Sequence, residues 1–164
     1  MLVEGTSDRV ALETLAQRRG RDLAAEGVAV EAIGGAQAIH RALARHDGAK
    51  LVGLVDAGEA DGFRRALEHV FVCDPDLEAE LIRALGAEEV EGVAEANGDL
   101  AAFRTLQKQP AWRDQPIEEQ LRRFLGSGGS RKIRYARLLV EALEPDAAPR
   151  PLGLVLDRAV SGPG

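Results

Sequence analysis

The chain has 164 residues, 45% of them hydrophobic, with a single cysteine and a net charge of −6, which is enough for one buried core and, at this size, one domain. No apolar run approaches the roughly 18 residues of a membrane span, and the N-terminus lacks a basic segment leading into an apolar stretch and a cleavage site. The sequence therefore predicts a soluble, cytoplasmic protein without a membrane partner, and its one cysteine, Cys73, excludes an internal disulfide and a multi-cysteine zinc site.

In chain order, Met1-Leu2-Val3 predicts a short strand that stops at the turn and cap residues Glu4-Gly5-Thr6-Ser7-Asp8. A helix should follow, capped by Ser7 or Thr6, with Val10, Ala11, Leu12 and Leu15 as its apolar stripe and Arg18-Arg19-Gly20-Arg21 as its end. Residues 28–33 predict a second strand ended by Gly34-Gly35, and residues 36–46 a second helix. Residues 50–55 form a third apolar run leading into Asp56-Ala57-Gly58-Glu59; a brief helix over 63–67 precedes a fourth strand over 69–73, which ends at Asp74-Pro75-Asp76. Helices are then expected over 77–85, 100–106, 118–125 and 131–143, punctuated by Pro110 and Pro116. Pro145, Pro149, Pro151 and Pro163, with the closing Ser-Gly-Pro-Gly, predict an end that frays.

Strands alternating with helices, and apolar runs too continuous for a sheet wetted on one face, indicate an α/β fold with a mostly parallel four-stranded sheet covered on both sides. Sites in such sheets lie at the carboxyl ends of strands. Three of the four predicted strands end in acid: Glu4, then Asp56 with Glu59, then Asp74 with Asp76. Phosphodiester cleavage needs a nucleophilic water and neutralisation of phosphoryl charge, which carboxylate-held Mg²⁺ or Mn²⁺ supplies. Glu4, Asp8, Asp56, Asp76 and Glu78 are the candidate ligands. The charge distribution suits a polyanionic partner: residues 1–103 hold 10 Lys/Arg against 20 Asp/Glu, whereas residues 104–137 hold 9 against 3. The glycine-rich turn 126–129 opening the helix at 131 places Ser130, Arg131 and Lys132 where backbone N–H groups and positive charge can meet a phosphate.

Val3-Glu4-Gly5-Thr6-Ser7-Asp8 followed by an Ala-Leu-rich helix resembles the opening V-E-G-x-x-D motif of TOPRIM domains, shared by topoisomerases, bacterial primases and OLD-family (overcoming lysogenization defect) endonucleases. The runs 53–59 and 71–86, with Gly34-Gly35-Ala36 between and Arg131-Lys132-Ile133-Arg134-Tyr135-Ala136 beyond, are similar to the OLD branch. The resemblance, over about residues 1–143, implies a Rossmann-like TOPRIM core over 1–86 and a helical extension of the same domain over 87–143, leaving the Pro/Gly-rich, partly flexible end over 144–164. It also implies a metal-dependent endonuclease acting on nucleic acid, DNA before RNA. Glu4 would be metal ligand or general acid/base, Asp8, Asp56 and Glu78 metal ligands, and Lys132 the phosphate or transition-state contact. The family's D-x-D pair is Asp56-Ala57-Gly58 here, leaving Glu59 or Asp76 to supply its second carboxylate. No G-x-x-x-x-G-K-[ST] loop occurs, so a stand-alone domain served by a separate ATPase subunit is expected, with a homodimer as a further possible partner arrangement. Two other readings are a non-catalytic TOPRIM-like module that binds nucleic acid or a partner, and a phosphohydrolase using Asp74 of Asp74-Pro75-Asp76 as a covalent nucleophile.

Overall fold

The computed structural model describes residues 1–35 and 38–160. The expected start of the second helix at Ala36, and Pro163 with its neighbours, lie outside the described residues. Four short strands, β1 (Leu2–Val3), β2 (Glu31–Ala32), β3 (Val52–Asp56) and β4 (His69–Cys73), make one sheet in the order β2-β1-β3-β4. Every pairing is parallel, with Val3 opposite Ala32 on one side and Leu54 on the other, and Asp56 opposite Cys73. The helices among the described residues are α1 (Thr6–Arg18), α2 (Ile39–Arg45), α3 (Ala60–Ala66), α4 (Leu77–Leu85), α5 (Ala87–Ala96), α6 (Leu100–Gln107), α7 (Ile117–Leu125), α8 (Gly129–Ala142) and α9 (Arg150–Val160).

The alternation of side chains along the strands divides the core into two layers. Val3, Val52, Leu54 and Cys73 face the larger core, which is completed by α1 and by α4 to α9, while Leu2 and Val55 face a smaller one built from Ile39, Ala42 and Phe63 of α2 and α3. Helices thus cover both faces, which is why the strands read as unbroken apolar runs. Gly53 lets α3 sit close on β3, since a Cβ there would lie 2.8 Å from Phe63 Cδ1 and 2.9 Å from Leu67 Cδ1. The strand order reverses between β1 and β3: the chain leaves β1 for β2 on one side and returns to β3 on the other. The crevice beyond the carboxyl ends of β1 and β3 is the topological switch point, where ligands of open parallel sheets bind.

Three expectations are corrected. Neither Ser7 nor Thr6 caps α1; Gly5 is its N-cap, already extended at φ −134°, and the Asp8 carboxylate accepts the Gly5 N–H at 2.7 Å. The second strand is shorter than residues 28–33, being paired only from the Glu31 N–H onto Met1 O, at 2.9 Å, to the Ile33 N–H onto Val3 O, at 2.9 Å. The C-terminal segment does not fray over residues 150–160, which form α9 with Leu152, Val155 and Leu156 fully buried. Its prolines are start signals: Pro151 lies in the first turn of α9, where a missing N–H costs nothing. The arginines closing α1 secure the segment, with Arg18 donating to Leu143 O at 2.7 Å, Arg19 to Pro145 O at 3.1 Å and Arg21 to Leu156 O at 3.3 Å. Besides α9, α5 had no counterpart in the sequence reading; it buries only Val90 and Ala94 and is otherwise acidic enough to resemble a solvated linker.

Candidate metal centre

Glu4 and Asp56 stand at the carboxyl ends of β1 and β3, on the two sides of the switch point. The carbonyl of Glu4 accepts the N–H groups of Gly34 and Gly35, at 3.0 and 3.2 Å, so the glycine pair after β2 fixes the backbone on which the Glu4 side chain stands. Its Oε2 is buried and has no hydrogen-bond partner. One helical turn on, Asp8 is 5% exposed, tied to the Gly5 N–H but otherwise facing the same space. Asp56 accepts the Leu77 N–H on Oδ1 at 3.2 Å, which joins the end of β3 to the start of α4. Asp76 caps α4 by accepting the Ala79 N–H at 2.9 Å, and Glu78 follows in its first turn, 6% exposed.

These carboxylates share one field. Burial pushes Asp8 up to about 6, with neighbouring Glu4 and Glu78 adding to the rise against the Gly5 hydrogen bond and Lys132. Burial likewise pushes Asp56 up to about 7, helped by Asp8, Glu4 and Asp76 and opposed by Lys132. Glu78 is raised by burial in spite of Lys132 beside it. In each case loss of hydration disfavours the charged form, and like charges nearby compound it.

One cation enters the cluster. Lys132 Nζ lies 3.3 Å from Glu78 Oε2, and although burial acts to lower its pKa, the carboxylates Glu78, Asp56 and Asp8 outweigh that and hold the ammonium above its ordinary value. It comes from the second turn of α8, which packs along α1. Arg122 of α7 reaches back in the same way and donates from Nε to Asp76 Oδ2 at 2.7 Å. The sequence reading did not single out Arg122; its only signal there was membership of the basic stretch 104–137.

The sequence-predicted residues therefore separate into two groups. Glu4, Asp8, Asp56, Asp76, Glu78 and Lys132 converge. Ser130 and Arg131 do not join them: Arg131 donates to Ser127 Oγ at 2.7 Å and lies 4.4 Å from the Phe124 ring centre, and with Ser130 and Arg134 it lines a different cavity. A step of one residue on a helix turns a side chain by about 100°, so Lys132 faces the acids while Arg131 faces α7. Glu59 is exposed, in the short 3₁₀ turn 57–59. Asp74 is exposed and outside the cluster, its backbone N–H bound by Glu80 at 3.1 Å. Cys73 is a buried core residue.

The donor set suits a hard divalent cation. An orphaned buried Glu4 oxygen stands among carboxylates whose charges oppose one another, and oxygen is what magnesium and manganese prefer. No three Asp, Glu, His or Cys side chains among the described residues are closed into a ligand cage.

The comparisons with known proteins bear on the fold that carries these residues. The family described as overcoming lysogenization defect protein-like, TOPRIM domain, matches residues 1–57, which run from β1 to one residue past Asp56. The C-terminal region of the Xanthomonas campestris pv. campestris OLD protein superposes with a TM-score of 0.66 at 20% identity, covering 97% of this chain and 92% of that one. That of the Burkholderia pseudomallei OLD protein gives 0.63 at 18% identity, covering 96% of each. No curated protein matches the sequence. Residues 1–57 are thus similar in sequence to the OLD-like TOPRIM domain, and nearly the whole chain shares the fold of OLD C-terminal regions.

Proposed function

We propose that this chain is a metal-dependent endonuclease domain that hydrolyses phosphodiester bonds of nucleic acid, DNA before RNA, with Mg²⁺ or Mn²⁺ held by Glu4, Asp8 and Asp56. The observation that carries the reading is the convergence of these three carboxylates on the switch-point crevice, with Lys132 delivered to the same place from α8. When bound, such a cation neutralises phosphoryl charge and activates a water for attack. Glu4, whose Oε2 has no hydrogen-bond partner, would take up a proton from the attacking water. Lys132 offers its charge to the phosphoryl oxygens as negative charge develops there, and Glu78, 3.3 Å away, holds it in position. In this reading Asp76 positions rather than ligates, since one of its oxygens caps α4 and the other holds Arg122.

A non-catalytic nucleic-acid-binding module is the second reading, favoured by one observation: Gly58 stands where the family's second D-x-D aspartate would, and Asp76 is already paired. The two are separated by incubating the protein with supercoiled plasmid and with single-stranded DNA and RNA in Mg²⁺, Mn²⁺ or EDTA, beside Glu4→Gln. Cleavage that needs both metal and Glu4 supports the nuclease; binding without cleavage in every metal supports the module.

A further inference from the structure

Residues 108–116, between α6 and α7, carry the chain's single tryptophan, Trp112. The backbone of this loop is held by a side chain. Gln120 of α7, 6% exposed, donates from Nε2 to Trp112 O at 2.8 Å and to Gln115 O at 2.9 Å, while its Oε1 accepts from Gln107 Nε2 at 2.7 Å. A buried amide is costly unless its groups are paired, and here two of its hydrogen bonds fix the loop while the third ties it to the end of α6. The ring so presented is only half-buried, so the loop does not serve to bury an aromatic.

Trp112 instead forms a wall of a cavity of about 260 Å³ whose lining includes Glu78 and Lys132, so the cavity adjoins the candidate centre at those two residues. That volume is near the lower end of small-ligand pockets, about 300 Å³, and suits one nucleoside. Most charges around it are spent: Arg122 is paired with Asp76 and Glu119, and Lys132 with Glu78. Arg123 is the exception, with its guanidinium 5.9 Å from the centre of the Trp112 ring and in no ion pair among the described residues.

We propose that this cavity is a subsite for one unstacked nucleoside of a single-stranded nucleic acid, its base on Trp112 and its adjoining phosphate on Arg123, beside the phosphate cleaved at the carboxylate centre. The inference rests on the nuclease reading and adds a substrate class to it. Within a duplex both faces of a base are covered by its neighbours, so a tryptophan wall admits only strand ends, single-stranded segments or extruded bases. A base on tryptophan and a phosphate on arginine are shared by DNA and RNA.

As the only tryptophan, Trp112 reports on its own occupancy by fluorescence. The intact protein in EDTA, and Glu4→Gln in Mg²⁺, are titrated with oligothymidylate, oligouridylate and a DNA duplex of equal length, with binding followed independently by anisotropy of labelled strands. The expected result is quenching by single strands and little by duplex, with the stronger of the two oligonucleotides identifying the sugar preferred. Trp112→Ala should weaken single-strand binding about tenfold and Trp112→Phe far less, with circular dichroism checking that both fold. Arg123→Ala should lower the slope of log affinity against log salt by about 0.7. Binding without quenching, or equal quenching by duplex, overturns the subsite, and metal-dependent cleavage persisting in the same preparation leaves the nuclease reading intact. Failure of every strand to bind overturns the subsite as well, and with cleavage also absent the nuclease reading falls with it.

Discussion

At the sheet edge, carboxylates sit where burial and mutual repulsion work against their charge; along α7 and α8, Arg122 and Lys132 reach back to those same carboxylates. Asp8 and Asp56 are both raised by burial, whereas Lys132 and Arg122 are both held protonated by acids on the sheet side. The acidic edge thus depends on charge from elsewhere, and the helical region is not an appendage to a finished core: it contributes the lysine beside Glu78 and the arginine on Asp76. Substitutions in either region are consequently expected to lower function, while stability responds with opposite signs in the two.

The largest break falls on the acidic side. Glu4→Gln and Asp56→Asn should each lower metal-dependent cleavage by about 10²–10⁴-fold, measured on plasmid under Mn²⁺, while metal-free melting temperature stays level or rises, because each change removes a charge from among like charges. A fall in melting temperature would contradict the crowding of carboxylates. On the basic side, Lys132→Met should cost about 10²–10³-fold in cleavage and also destabilise the protein by about 1–3 kcal/mol, since buried Glu78 loses its partner. Partial exposure of Lys132 keeps that loss toward the low end. A variant that lost activity with no change in a denaturant midpoint would show that Lys132 is not the counter-ion of Glu78.

A change remote from both regions calibrates the contrast. Leu152→Ala in α9 should cost about 2–5 kcal/mol by urea unfolding, as expected for a fully buried leucine, yet leave cleavage per folded molecule unaltered. The smallest expected effect is on pH. Asp8 and Asp56 have ordinary values near 3.8 and folded values of about 6 and about 7, so the folded chain binds more protons than the unfolded one in between. Their contribution to stability is complete below the ordinary value and is lost as pH rises through about 6 and 7. In EDTA the melting temperature should therefore fall by a few degrees across that window relative to Asp56→Asn, a shift of about 2–4 °C for each kcal/mol. Metal should reverse it, and parallel pH profiles for the two proteins would refute the assignment.

Elements that carry their own local signal were legible in the sequence. β4 and α4 coincide with the expected residues, because an apolar run ending at Asp74-Pro75-Asp76 and an amphipathic helix capped by Asp76 each declare their boundaries locally. The helix α9 was not legible, because its prolines signal a break without saying that a helix starts after it, and its burial comes from packing against β3, β4 and α1, far earlier in the chain. The site divides in the same way. Acidic residues at strand ends, and with them Glu4 and Asp56, follow from the strand pattern, whereas Arg122 and the tryptophan loop depend on where α7 lies against α4.

The sequence by itself determined the residue types and their order: parallel strands from continuous apolar runs, acids where those strands stop, and a basic stretch later in the chain. Only the tertiary structure decided which of those charges meet. Strand order places β1 beside β3 and so brings Glu4 and Asp56 to one crevice, and the packing of α8 along α1 turns Lys132 inward while Arg131 faces α7. The physical reason is range: periodicity and capping act within about one or two helical turns, whereas electrostatic coupling acts between groups close in space, whatever their separation along the chain.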